Sequence, residues 1–252
     1  MARRRLLLYA LLLNIFGLKP ALPFAAPAAK DTLAANQIIV VLTTGWDTAK
    51  ATLYAFEKIN GVWVQQFTNP VFVGAKGMGI GDGLVPLTIN GAPVKKEGDL
   101  KAPAGIFKIG AAFGYADKHN ASWIKDAYIQ ADDTVFCVDD ARSIYYNQII
   151  SADTAHSDWH SFEYMHRKDD DYKWGLFVEH NSPVTVPGHG SCIFIHIGTG
   201  NNFATEGCTA MTETNLLGLL HWIDASKKPL LIQMPLAAYT IFEKQFNLPV
   251  IH

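Results

Sequence analysis

Cys208 lies in the stretch ATEGCTAM (residues 204–211), after a glycine and four residues before Thr212, where a helical pattern begins. A thiol becomes a nucleophile only as its thiolate, so it needs a base or a positive environment nearby. His196, at the end of an apolar run, is the candidate base. Gly207 allows a substrate carbonyl to approach closely. The backbone N–H groups of the turn, at Gly207 and Thr209, are candidates for an oxyanion hole. Thr205, Glu206 and His189 are candidates to bind or orient substrate. Glu206 is the odd member: a carboxylate close to the sulfur disfavours thiolate, whereas one turned outward can bind or deprotonate an ammonium. The plain alternatives are a buried structural cysteine, a strand histidine with its hydrogen bonds satisfied, and a threonine that only fills a turn. His189, His196 and Cys208 are also zinc-type ligands, but their spacing fits no zinc pattern, and no metal or other cofactor is expected.

The elements that must position these groups are mostly strands. QIIVVLTT (37–44) reads as a buried strand. ATLYAFEK (51–58) and GVWVQQF (61–67), joined at Asn60-Gly61, read as a hairpin. TVFCV (134–138), WGLFVEH (174–180), CIFIHI (192–197) and KPLLIQM (228–234) are further strands. TETNLLGLLHWID (212–224) carries a helical apolar stripe with Thr212 as its N-cap, and AAYTIFEKQF (237–246) is a second, weaker helix. The Gly-rich segment 73–83 is expected to be a loop. It lacks the GK[ST] ending of a phosphate loop. DDD (169–171), after Arg167-Lys168, reads as a solvated loop.

Three arginines, a 13-residue apolar run with one polar residue, and a small-residue exit read as a signal peptide over residues 1–26, the alternative being an N-terminal membrane anchor. Residues 27–252 are then a single domain. Residues 1–26 hold four of the 21 Lys and Arg and none of the 23 acids, so the remainder is acidic. That argues against a nucleic-acid partner. Export implies an oxidising compartment and persistent disulfides. With three cysteines, Cys137 and Cys192, both at strand starts, are expected to pair and leave Cys208 free. The alternative is three free thiols. Mass mapping under non-reducing conditions separates the two: a bridged Cys137–Cys192 peptide is expected, and a bridge to Cys208 would contradict a nucleophilic role.

The segment GHGSCIFIHIGTGNNFATEGCTAM (188–211) resembles the L,D-transpeptidase catalytic domain family (YkuD-type), whose motif is a strand histidine, a loop, and [S/T]-H-G-C. His196, Thr205, Gly207 and Cys208 match it. EGDLKAPAGIFKIG (97–110), CVDDARSIYYNQI (137–149) and GSCIFIHI (190–197) are similar to other parts of the family. The resemblance spans about Gln37 to Pro235. It implies a mainly β, β-sandwich-like catalytic fold with a helix after the cysteine loop. It also implies an exported cysteine acyltransferase that acts on peptidoglycan peptide stems through a Cys208 thioester. Such an enzyme would work in the periplasm or cell envelope, as a monomer close to the membrane. The alternatives are a hydrolase of wall peptides and a non-catalytic wall-binding domain. The chain departs from the motif at Glu206, where histidine is usual, and at Ala210, where asparagine or arginine is usual.

Overall fold

The computed structural model describes residues 33–198 and 204–251. The expected signal peptide, residues 1–26, lies outside them. In chain order the elements are β1 (Gln37–Thr43), β2 (Lys50–Ile59), β3 (Val62–Phe72), β4 (Met78–Ile80), β5 (Ala102–Gly114), β6 (Tyr128–Gln130), β7 (Val135–Val138), β8 (Ile149–Ser151), β9 (Phe162–Tyr164), β10 (Trp174–Val178), β11 (Phe194–Ile197), β12 (Thr209–Met211), α1 (Glu213–Trp222), β13 (Leu230–Pro235) and α2 (Leu236–Phe246). The fold is mainly β, as expected, with a helix directly after the cysteine segment.

The main sheet runs β10-β11-β12-β3-β2-β1-β13-β5, and β5 pairs again with β10, so the ladder closes on itself. Closure removes two exposed edges from the sheet. β1 and β13, paired in parallel, are buried along their whole length and read as continuous apolar runs. The β2–β3 hairpin has one wet face, so its burial alternates. α2 packs on β1 and β13, and α1 on β10 and β11. α1 begins where expected: the Thr212 hydroxyl accepts a hydrogen bond from the Asn215 N–H, and Leu216, Leu219 and Leu220 are buried.

β5 and β4 differ from the sequence reading. β5 was not anticipated, because Ala, Pro and Gly make up much of APAGIFKIGAAFG and are weak strand formers. It nonetheless pairs with β13, β10, β4 and β6. The glycine-rich segment 73–83 contains β4. There Gly77 has φ +77°, and a Cβ on it would fall 2.1 Å from the Trp46 carbonyl oxygen.

A separate three-stranded sheet, β8-β7-β9, leans on the closed one. Its attachment is covalent: Cys137 on β7 is bonded to Cys192, just before β11. The bridge closes a separation of 55 residues. A small sheet has little core of its own, so a link of that span is expected to contribute about 2–5 kcal/mol. Reduction, or the double change Cys137→Ser with Cys192→Ser, should lower the melting temperature by several degrees, read by calorimetry. Unchanged melting would show that packing alone holds the sheet.

Candidate active site

β11 and β12 pair in parallel with Ile195 opposite Thr209, His196 opposite Ala210 and Ile197 opposite Met211. Side chains alternate along a strand, so His196 on β11 shares one face with Cys208 and Ala210, while Thr209 and Met211 point to the other. The first face opens on a cleft of about 1270 Å³ whose lining includes Cys208, His196, Glu206, Glu163, Tyr172 and Arg167. The strand β12 stands between Cys208 and α1, so the sulfur meets strand backbone and not a helix terminus. The Phe194 N–H donates to the sulfur at 3.3 Å, and the thiol donates to the Cys192 carbonyl at 3.5 Å.

His196 is buried on β11. Its Nδ1 lies 2.7 Å from the Ile197 carbonyl oxygen. A carbonyl only accepts, so Nδ1 carries the proton and Nε2 holds the lone pair. Burial lowers its pKa to about 4, so the imidazole is neutral at pH 7. Tyr172 packs edge-on against it, with centroids 5.2 Å apart. Burial pushes the Cys208 thiol well above its ordinary value. Glu163 adds to that push, and the Phe194 N–H opposes it. The pair therefore rests as a neutral thiol beside a neutral base, not as a thiolate–imidazolium pair.

The remaining expected site residues divide. The Thr205 hydroxyl donates to the Cys208 carbonyl at 2.7 Å and accepts from the Gly207 N–H at 3.2 Å, which clamps the turn from within. Its own backbone is tied to Val73 and Ala75. Thr209 lies in β12 and not in a turn. It is buried on the opposite face, where its hydroxyl donates to Gln233 at 2.6 Å. Glu206 is exposed and lines the cleft, close enough to raise the pKa values of Glu163 and Cys208. His189 is not gathered in: its Nδ1 pairs with Asp82 at 2.7 Å near the surface. The three zinc-type ligands are thus not brought together.

Several cleft residues carried no sequence signal. Tyr172 donates to Glu163 at 2.5 Å. Arg167 is held by Asp169 at 2.7 Å and sits over the Tyr172 ring, 5.0 Å from its centroid. The Arg167-Lys168 and DDD segment, expected to be a solvated loop, supplies Arg167, Lys168, Asp169 and Asp171 to the cleft wall. The Cys137–Cys192 bond leaves Cys208 as the free cysteine.

The family model of the L,D-transpeptidase catalytic domain (YkuD) matches residues 38–232. No curated protein matches the chain. The solved structure of Bdellovibrio bacteriovorus Bd1075 is similar with a TM-score of 0.38 and 12% identity, over 79% of this chain and 47% of that one. The chain thus spans less than half the length of that protein.

The neutral pair predicts how the free protein reacts. Alkylation of Cys208 by iodoacetamide should be slow at pH 7 and rise only above the range of an ordinary thiol, near pH 8.5. Mass spectrometry of the alkylated peptide across pH 5–10 checks this. A rate already level below pH 7 would mean a preformed thiolate.

Proposed function

This chain belongs to the L,D-transpeptidase catalytic domain family, and we propose that it is an exported cysteine acyltransferase acting on peptidoglycan peptide stems in the periplasm or cell envelope. The observation that carries this reading is the β11–β12 register, which sets Cys208 and His196 on one face of a cleft large enough for a peptide.

The reaction follows from the two neutral groups. A bound stem places the carbonyl of its third residue, a diamino acid, beside Cys208. The thiol proton passes to His196 Nε2 as the sulfur attacks that carbon. The Phe194 N–H, already aimed at the sulfur, stabilises the charge that builds there. The leaving D-alanine takes its proton from His196 as the C–N bond breaks, and a Cys208 thioester remains. An amine on a second stem then forms the new amide and restores the thiol. If water attacks instead, the product is a shortened stem. Arg167 and Lys168 in the cleft wall bring the positive charge that Ala210 does not, and so suit the stem's carboxylates.

The test is mass spectrometry of muropeptides after incubation with purified protein, alongside labelling by a carbapenem, a β-lactam that acylates reactive thiols. The parent should form cross-linked product and a covalent adduct, and Cys208→Ala should form neither. His196→Gln should acylate roughly 100-fold or more slowly. Equal product from Cys208→Ala and the parent would remove the nucleophile. An absent adduct with retained binding to wall fragments would instead make the chain a binding domain.

A further inference from the structure

Glu163 is a carboxylate in the cleft wall for which the reaction above has no role. It sits on β9 directly opposite Cys137 of β7. Opposed residues of an antiparallel pair share a face, so Glu163 lies on the face of the small sheet that carries the disulfide. That disulfide ends at Cys192, whose carbonyl accepts the Cys208 thiol. Glu163 lines the same cleft as Cys208 and is bonded through Oε2 to Tyr172, whose ring lies against His196. Asp139 and Glu206 line the same cleft. Asp139 Oδ1 is buried and finds no hydrogen-bond partner among the described residues.

We propose that Glu163 is the proton acceptor for the amine that resolves the acyl-enzyme, so that the cleft selects a primary amine arriving as its ammonium. This rests on the acyltransferase reading above. The ammonium settles among Glu163, Asp139 and Glu206 and gives one proton to the Glu163 carboxylate. The neutral nitrogen attacks the thioester carbon and the C–N bond forms. The C–S bond breaks and Cys208 leaves as thiolate. The second nitrogen proton passes to His196 Nε2 and from there to the sulfur, and Glu163 releases its proton to water. Thioester and ammonium become amide, thiol and one proton.

The charges around Glu163 suit the task. Removal from water is the main cause that raises its pKa to about 7. The Tyr172 hydrogen bond and Arg167 hold it down, while Asp139 and Glu206 push it up. A base with a pKa near the working pH is the effective kind. Glu163 in its ionised form also opposes the Cys208 thiolate, so taking a proton favours departure of the sulfur.

The experiment separates the two half-reactions. The parent and Glu163→Gln are acylated with a synthetic tetrapeptide stem. The thioester is then resolved with N-acetyl-lysine amide, an ammonium at pH 7, or with hydroxylamine, which is already neutral. Glu163→Gln should form the thioester at least as fast as the parent and pass it to hydroxylamine at the parent's rate. Its transfer to the lysine amine should fall by roughly 100-fold. In the parent that transfer should rise through about pH 7, a rise absent from the variant, which keeps only the rise set by the amine itself. Tyr172→Phe removes a hydrogen bond to the ionised carboxylate, so it should move the rise to higher pH. Equal lysine transfer by Glu163→Gln would overturn the proposal. So would loss of thioester formation and of both transfers together, which marks a structural role. A parent that forms no thioester would overturn the acyltransferase reading, and this role with it.

Discussion

A hydrogen-bonded bridge across the inside of the closed sheet fixes the register on which the site depends. Thr209 on β12 donates to Gln233 on β13 at 2.6 Å, and Gln233 donates to the Pro103 carbonyl on β5 at 2.9 Å. Thr209 and Gln233 are both almost fully buried. Leaving either unpaired costs about 1–3 kcal/mol, so β12 is held with Thr209 inward. Cys208 and Ala210 must then face the cleft, beside His196. A slip of one residue would turn Thr209 and Met211 to the cleft and bury the sulfur with the core. β12 has only three residues, too few for ladder hydrogen bonds alone to set its register firmly. The buried polar pair on its inner face makes good that shortage.

Burial of the site has an electrostatic consequence. It removes His196 and Cys208 from water, which favours the neutral form of each. A preformed thiolate–imidazolium pair would carry two charges into that setting, and the Glu163 carboxylate raises the cost of the negative one. In the proposed reaction bound substrate changes the balance, because the proton moves as the C–S bond forms and the charge does not persist on sulfur. A thiol held in its neutral form is also less open to oxidation, because the thiolate is the form oxidised first.

What the sequence made legible were features written in local pattern. The apolar runs of β1, β11 and β13, the Asn60-Gly61 hairpin and the leucine stripe of α1 all have a period or a turn signal, and each is found close to where it was read. Cys208 and His196 stood out because a glycine–cysteine turn next to a helix cap is unusual. β5 did not, because its strand character comes from four partners and not from its own residues. β12 was hidden by its length. Glu163, Tyr172 and Arg167 lie between 36 and 45 residues upstream of Cys208. Nothing in their spacing links them to it. The link is the small sheet and the Cys137–Cys192 bond, a tertiary connection.

The same connection gives Glu206 and Ala210 a physical setting. Glu206 adds a carboxylate to the cleft lining, and Ala210 brings neither a donor nor a charge. Neither residue brings positive charge to the floor of the cleft. The wall provided by residues 163–172 carries charge of both signs: Arg167 and Lys168 on one hand, Glu163 with Asp169 and Asp171 on the other. Under the proposed function, substrate carboxylates and ammonium groups are met from the wall, with the floor left to Cys208 and His196. The wall is held in place by a disulfide whose far end, Cys192, presents its carbonyl to Cys208. One covalent link therefore sets both where the charges of the wall stand and how the thiol is held, so the two cannot drift independently.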